Sequence, residues 1–209
     1  MTKYIDVRVL ELAGIAAVLE ALHLPFGMEC KSEIKENEHW CSGMGVEVWR
    51  QWHSQCHVNI APKDLQLMQR LVKAGDQHAK SLRGIMVWLE IDAPRYWWQE
   101  MDTYSIGTDR IASESTMHMQ CKGMSTEQLL KVKEELPEGT HQKRVQVFSY
   151  QTLRRIYHQR HNHRLPHWQE FCNCIKQLPF AEELILAGLE GKLNGDEHNQ
   201  QQEKGGSNG

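Results

Sequence analysis

Three polar side chains are spaced so that they share one face of a predicted helix. Proline stands at the first helical position of the segment Pro94–Tyr104, which predicts that the helix begins there. Arg95, Gln99 and Asp102 follow at i, i+4 and i+7 and therefore lie on one side. A guanidinium, an amide and a carboxylate beside aromatic residues suit a polar, planar ligand such as a nucleobase or a flavin ring. In the alternative interpretation, the helix is partly exposed and the three side chains bond to one another.

A second polar cluster follows in the segment Ser113–His118, which combines hydroxyl groups with a carboxylate and an imidazole. Short polar side chains and nearby backbone N–H groups can hold phosphate oxygens. Arg110, just upstream, could complete such a pocket. A capped turn in a solvated loop is the alternative.

A third feature is an arginine at the end of an apolar helix face. Ser149 is a suitable N-cap for a helix over Ser149–Arg160, whose inward positions end at Arg160. A guanidinium there must find an anion or reach water. We expect Arg160 and the turn near Ser115 to hold one anionic ligand, within a chain or between protomers. The basic run Arg154–Arg164 otherwise indicates a solvated face, and RNA contact is a lesser alternative.

Metal binding is suggested only by loose spacings among six cysteines and twelve histidines. No paired C-x-x-C knuckle occurs, and free cysteine is often a small buried apolar residue. We therefore predict no metal site, with a small metal-stabilised binding protein as the open alternative. The residues that would form it are Cys30, His39, Cys41, His53 and Cys56.

The elements that must position these side chains predict one α+β domain over residues 1–190 and a disordered polar tail over 191–209. The chain has 209 residues, a formal charge of -3 and 40% hydrophobic residues, with no apolar run long enough for a membrane span and no secretory signal. We expect a cytoplasmic protein that does not bind nucleic acid. Periodicity and breakers predict helices over Val7–Leu24, Val46–His57, Pro62–Lys73, Pro94–Tyr104, Ser125–Leu136, Ser149–Arg160 and Pro166–Leu178. Strands are predicted over Gly84–Ile91 and Lys143–Phe148, and Gly107–Cys121 is predicted as a loop.

The order of these segments resembles the flavin-dependent thymidylate synthases. The family signature reads Q-x-x-R-H-R-x-x-S-x-N-E-x-S-x-R-Y after a strand and an often-seen histidine. Here His78, the strand, Arg95 and Gln99 occur in that order, and the segment Ser113–His118 resembles Asn-Glu-x-Ser-x-Arg with shifted spacing. The segment Asp102–Tyr104 stands where the family has Arg-His-Arg.

The C-terminal half resembles the family more closely. Leu136-Pro137 matches its Leu-Pro, Ser149–Leu153 stands at its N-x-R-x-L, and Arg160 keeps the register of its next arginine. His167–Phe171 stands at its A-Q-x-E-I-R, after two extra residues. The resemblance covers Gln77 to Leu178, about half of the chain.

The resemblance implies a central, mostly antiparallel sheet with flanking helices, and methylation of dUMP with FAD, NADPH and methylenetetrahydrofolate in a homotetramer with shared sites. The implied cofactor-binding residues are His78, Arg95, Gln99, Asp102, Tyr104, His118 and Arg160. The implied nucleotide-binding residues are Arg110, Ser113, Glu114, Ser115, Arg160 and Arg164. Aspartate at 102 would repel the phosphate that the family's arginines attract. Either the ligand geometry has changed, which would also fit a related chemistry such as hydroxymethylation of a pyrimidine nucleotide, or the chain is a catalytically silent relative that binds a nucleotide or a protein.

Overall fold

The structure of the chain is a computed structural model that describes residues 3–27, 33–34, 58–119 and 121–188. Three predictions lie outside these residues: the helix over Val46–His57, the tail over 191–209, and the metal-site alternative built on Cys30, His39, Cys41, His53 and Cys56. They stay predictions.

A four-stranded antiparallel sheet organises the fold. Its strands are β1 (Asp6–Ala13), β4 (Met86–Pro94), β5 (Thr108–Ser113) and β6 (His141–Ser149), in the spatial order β1-β4-β6-β5. A separate two-stranded antiparallel sheet pairs β2 (Glu33–Ile34) with β3 (Val58–Asn59). The predicted α+β class with an antiparallel sheet is confirmed.

Seven α-helices occur among the described residues. They are α1 (Ile15–His23), α2 (Pro62–Lys73), α3 (Arg95–Met101), α4 (Thr116–Met119), α5 (Thr126–Glu134), α6 (Tyr150–Arg160) and α7 (Pro166–Ile175). Short 3-10 turns cover Leu24–Phe26 and Lys80–Arg83, and a π-helical turn covers Glu182–Leu186. None of the described helices is long and apolar enough to span a bilayer.

The predicted helix starts at Ser125 and Ser149 follow from side-chain caps. The Ser125 hydroxyl accepts from the Gln128 backbone N–H, and the Gln128 side chain accepts from the Ser125 backbone N–H, which forms a capping box. The Ser149 hydroxyl accepts from the Thr152 N–H at the start of α6. Local sequence therefore determines where α5 and α6 begin.

The predicted helix over Val7–Leu24 is wrong in its first half, which is strand β1. A bulge between Val9 and Glu11 shifts the register, so that Val7, Val9 and Leu12 all point into the core. That spacing of two and then three residues imitates a helical period. Gly14 then ends the strand with φ +95°, and α1 begins immediately after it.

The predicted loop over Gly107–Cys121 is also wrong in part, because it contains β5 and α4. Five of the six residues of β5 are exposed, and β5 is an edge strand of the sheet. Such a strand needs no apolar face, and the polar sequence therefore concealed it.

The hydrophobic core lies between one face of the sheet and the helices. The β4 side chains Val87, Leu89 and Ile91 point into it, and their register partners on β6 include Arg144 and Gln146. The covered face of β6 thus carries buried polar residues beside an apolar strand. The largest side chains of this core are Trp97, Trp98, Trp168, Tyr150, Phe148 and Phe171.

Candidate functional site

The exposed side of α3 brings together two of its three predicted residues. Arg95 Nη2 lies 3.5 Å from Glu138 Oε1, and Gln99 Nε2 donates to Glu138 Oε2 at 2.9 Å. Glu138 follows α5, so these contacts tie α3 to that connection. Arg95 and Gln99 share a face as predicted, although a carboxylate of the same chain already occupies it.

Asp102 forms a separate ion pair. Its two carboxylate oxygens accept from Arg144 Nη1 at 2.9 and 3.1 Å. The Arg144 guanidinium also lies 4.4 Å from the centre of the Trp98 ring. Burial lowers the pKa of Arg144, and the hydrogen bond and charge of Asp102 oppose that shift. The charge of Asp102 is therefore compensated inside the chain, whereas the sequence suggested a carboxylate left to repel a ligand.

The tryptophans of α3 do not form an open wall. Trp97 and Trp98 are fully buried, and Trp98 Nε1 donates to the Gln142 carbonyl. Tyr104 is also buried, and its hydroxyl donates to Gln159 while it accepts from Arg160 Nε. These aromatic side chains stabilise the core.

Arg160 meets its anion within the chain. Its Nη1 donates to Glu100 Oε2 at 3.1 Å, and the same oxygen accepts from Trp168 Nε1 at 2.8 Å. Arg160 also contacts His163, and its guanidinium lies 4.7 Å from the Trp168 ring centre. The expectation that this arginine needs an anion is met by Glu100. A phosphate role for Arg160 would require that ion pair to open.

The serine-rich segment begins at the sheet edge and continues into α4. Ser113 pairs with Arg144 in the register of β5 and β6. Glu114 extends the edge: its N–H donates to the Lys143 carbonyl, and its carboxylate accepts from the Lys143 N–H. Ser115 opens a turn in which its carbonyl accepts from the His118 N–H. The carboxylate of Glu114 is thereby used in the fold.

The convergence predicted for Arg160 and the Ser115 turn is not formed by the contacts of Arg160. Among the residues that the structure describes, its hydrogen bonds reach Glu100, Tyr104 and His163, and none reaches residues 113–115. The remaining predicted site residues, His78, Arg110, His118 and Arg164, have exposed side chains. Their ligand roles stay predictions.

Arg110 adds positive charge close to Arg144. The charge of Arg110 contributes to the lowered pKa of Arg144, because the two guanidinium groups repel each other across the β5–β6 pair. Gln146, almost fully buried beside them, donates to Thr108 Oγ1, while its Oε1 has no hydrogen-bond partner among the described residues. The sequence did not single out Arg144 or Gln146, because polar residues in an alternating strand normally indicate the solvent face.

A cleft of about 470 Å³ lies beside α6, and Tyr104, one of the predicted site residues, contacts its lining through Gln159 and Arg155. In the sequence, only the basic run Arg154–Arg164 indicates this cleft, and such a run is more typical of a solvated face. The cleft is bounded by α2, α6 and the end of the described chain. Its lining residues are Val72, Lys73, Gly75, Asp76, Arg154, Arg155, His158, Gln159 and Gly188.

The described residues contain no group of three or more histidine, cysteine, aspartate or glutamate side chains that could hold a metal ion. Burial raises the pKa of the Cys172 thiol to about 12 and that of Cys174 to about 11. Both thiols are therefore protonated near neutral pH, which makes them poor nucleophiles and poor metal ligands.

Comparisons with known proteins find likeness at the level of structure. No family model matches the chain, and no curated protein sequence matches it. A crystal structure of thymidylate synthase X from Helicobacter pylori with FAD and dUMP is 12% identical, with a TM-score of 0.57 over 87% of this chain and 97% of that chain. A second structure of that enzyme complexed with FAD and dUMP gives the same TM-score and identity over 86% and 97%.

A UMP/dUMP methylase, PolB from Streptomyces cacaoi, bound with 5-Br dUMP, is 10% identical, with a TM-score of 0.53 over 86% of this chain and 91% of that chain. The alignments extend across nearly the whole of each chain, so the likeness is not confined to one motif. This chain has the fold of the flavin-dependent thymidylate synthases.

Proposed function

We propose that this chain is a divergent flavin-dependent enzyme that transfers a one-carbon unit to a pyrimidine nucleotide, dUMP or a close relative. The observation that carries the proposal is the structural likeness to the enzyme from Helicobacter pylori, which covers 87% of this chain and 97% of that chain. The UMP/dUMP methylase shares the fold, and this supports a pyrimidine nucleotide as the ligand class. NADPH and methylenetetrahydrofolate are the proposed co-substrates.

The residues at the family's Arg-His-Arg position do not fit the diphosphate of FAD. That position holds Asp102, Thr103 and Tyr104. Arg144 occupies the Asp102 carboxylate, and the Tyr104 hydroxyl bonds to Gln159 and Arg160. FAD would have to take its cationic contacts from other parts of the chain.

For the nucleotide phosphate, we propose Arg110 with Ser113, both exposed on β5. Arg110 supplies a cation next to the β5–β6 pair, and arginine is well suited to bidentate phosphate contact. Arg164, exposed after α6, would reach the same ligand from a second protomer of a homotetramer. This arrangement leaves the Arg160–Glu100 pair intact.

A catalytically silent relative that binds a nucleotide or a protein is the second candidate. Two observations favour it: the Asp102–Arg144 ion pair at the position of the missing arginines, and the Glu100 carboxylate bonded to Arg160. In both pairs, a charge that the family resemblance assigns to ligand binding is already neutralised within the chain.

The deciding experiment is an absorbance spectrum of the purified protein with added FAD, followed by titration with dUMP and dCMP and an assay of dUMP-dependent NADPH oxidation. Flavin absorbance together with that oxidation supports the enzyme. Binding of dUMP without flavin or oxidation supports the silent relative. If neither dUMP nor dCMP binds, both candidates are wrong.

A matched pair of variants tests the proposed phosphate contact. Arg110→Gln is expected to weaken dUMP binding about tenfold, because it removes a charge-assisted hydrogen bond. Arg70→Gln makes the same chemical change at an exposed position on α2 and is expected to leave binding unchanged. Equal effects of the two variants would contradict a specific role for Arg110.

A further inference from the structure

The cleft beside α6 is formed by three elements that converge on its basic side chains. The C-terminal turn of α2 contributes Lys73, and the chain continues through Asp76. The first half of α6 contributes Arg154, one helical turn before His158. Gly188, just after the π-helical turn, completes the lining of the cleft.

The charges that line the cleft are unbalanced. Lys73, Arg154 and Arg155 are permanent cations, and Asp76 is the only carboxylate among the lining residues. The Asp76 side chain is 71% exposed, so water screens much of its charge. His158 adds an imidazole, whose Nε2 lies 3.2 Å from the Ile185 carbonyl and donates to it. The lining of the cleft therefore carries an excess of positive charge.

Arg154 is the most informative of these cations, because it is buried and its counter-ion among the described residues, Asp76, is exposed and lies at the outer limit of an ion pair. It is only 8% exposed, and its Nη1 donates to the carbonyls of Ile185 and Ala187. The carboxylate oxygen of Asp76 lies 4.0 Å from its Nε, beyond hydrogen-bond distance. Burial lowers the pKa of Arg154, as expected for a cation that water does not fully solvate. The charge of Asp76 opposes that shift, and an anion in the cleft would add to this weak compensation.

Gly188 places no side chain beside this guanidinium. A Cβ atom built on Gly188 would lie 3.5 Å from Arg154 Nη2, so the absence of a side chain leaves room beside that nitrogen. The volume of about 470 Å³ falls within the usual range for small-molecule sites.

We propose that this cleft binds the phosphate group of a small organic phosphate, with Lys73, Arg154 and Arg155 as its cations. Arginine holds phosphate oxygens through paired N–H donors, and lysine adds a mobile point charge. This inference goes beyond the proposed one-carbon transfer and does not depend on it, because it rests only on the lining of the cleft.

The test is isothermal titration calorimetry of the full chain with inorganic pyrophosphate. Lys73→Glu reverses a charge at the cleft rim and is expected to weaken binding about tenfold. Lys63→Glu makes the same change at the exposed N-terminal end of α2, about 15 Å along the helix, and is expected to change binding less than about twofold.

A third variant has the opposite sign and separates binding from structural damage. Asp76→Asn removes the only carboxylate of the lining and is expected to tighten pyrophosphate binding about threefold. A general loss of folding cannot produce tighter binding. Raising the salt concentration is expected to weaken binding to the wild type, because exposed charges are screened.

Three results would overturn the inference: no heat of pyrophosphate binding to the wild type, equal weakening by the Lys73 and Lys63 variants, or weaker binding by the Asp76 variant. Competition with dUMP and with FAD identifies the source of the phosphate. If dUMP or FAD displaces pyrophosphate, that compound is the ligand of the cleft. If neither displaces pyrophosphate, the ligand is a different organic phosphate.

The outcomes for the cleft and for the proposed function are distinguishable. Pyrophosphate binding with the expected variant pattern, in a protein that binds neither flavin nor pyrimidine nucleotide, supports the cleft and contradicts the enzyme. If the protein binds flavin and dUMP but not pyrophosphate, the proposed enzyme is supported and the proposed phosphate site in the cleft is contradicted.

Discussion

Helix α6 carries two largely buried arginines whose surroundings differ. Arg160, at its end, donates to the carboxylate of Glu100 at 3.1 Å and lies over the Trp168 ring. Arg154, about 120° away around the helix, has two backbone carbonyls and a carboxylate only at 4.0 Å. The two arginines thus share an element, but among the described residues only Arg160 has a carboxylate within hydrogen-bond distance.

This difference separates a structural arginine from one suited to a ligand. The Arg160 pair joins α3, α6 and α7, because Glu100, Arg160 and Trp168 lie on these three helices. Arg154 donates to the carbonyl of Ile185 in the π-helical turn and to that of Ala187 just after it, and its positive charge lines a cleft. Removing the counter-charge on each side should therefore have unequal effects on stability.

The largest expected effect is that of Glu100→Ala. Arg160 and the Trp168 indole lose their common acceptor, which should lower the free energy of unfolding by about 2 kcal/mol. Urea denaturation monitored by tryptophan fluorescence measures this loss. Glu138→Ala, which removes an exposed carboxylate from Arg95 and Gln99, should cost less than about 1 kcal/mol. Equal costs would show that the Glu100 network is an ordinary surface pair.

A smaller effect is expected for Asp102→Asn. Arg144, only 9% exposed, keeps its contact with the Trp98 ring but loses a charged acceptor. The free energy of unfolding should fall by about 1 kcal/mol, a modest loss because the Asp102 carboxylate is half exposed. Thermal and urea unfolding against Asp109→Asn, the same change on exposed β5, test this value. If Asp102→Asn leaves the free energy of unfolding unchanged, the ion pair has no structural role and Asp102 is available to a ligand.

His167, on α7, gives the Arg160 side of the molecule a dependence on pH. Burial lowers its pKa below the ordinary value of 6.5, and its Nε2 lies 2.8 Å from the Tyr96 hydroxyl. The unfolded chain takes up the proton more readily. The contribution of neutral His167 to the free energy of unfolding is therefore complete above about pH 6.5, and it is lost as the pH falls through the lower pKa of the folded chain.

We expect His167→Gln to reduce the loss of stability between about pH 7.5 and about pH 5.5 by less than about 1 kcal/mol. Urea unfolding of the wild type and the variant at both pH values gives this difference. An identical pH dependence in the two proteins would exclude His167 as its source.

The smallest effect is expected on the cleft side. Asp76→Asn should change the free energy of unfolding by less than about 0.5 kcal/mol, since the carboxylate is exposed and does not hydrogen-bond to Arg154. The same urea experiment measures it. A cost as large as that of Glu100→Ala would mean that the two arginines are equally neutralised, and the comparison would fail.

The sequence predicted those elements whose signals are local. Proline or serine at the start, together with apolar residues at helical spacing, predicts helices α2, α5, α6 and α7. Strand β1 was missed because its bulge imitates a helical period, and β5 because an edge strand lacks an apolar face. Both depend on pairing with strands far away in the chain.

The partners of the candidate site residues were the least predictable part. Arg160 was expected to need an anion, but nothing near it in the sequence indicates Glu100, which lies 60 residues away. Arg144 was hidden because its strand alternates polar and apolar residues, and here the polar ones face the helices. Which charges are neutralised is decided by the packing of α3, α6 and α7.

The close approach of Gly14 and Gly84 has a consequence for variation in this chain. A methyl group on Gly14 would lie 1.9 Å from the Gly84 carbonyl oxygen, and one on Gly84 would meet Val18 at 2.5 Å. Because Gly14 also has φ +95°, both space and backbone conformation exclude other residues there. A library with every codon at position 14, selected for folded protein, should return glycine almost alone, while position 84 should admit alanine whenever Val18 is made smaller.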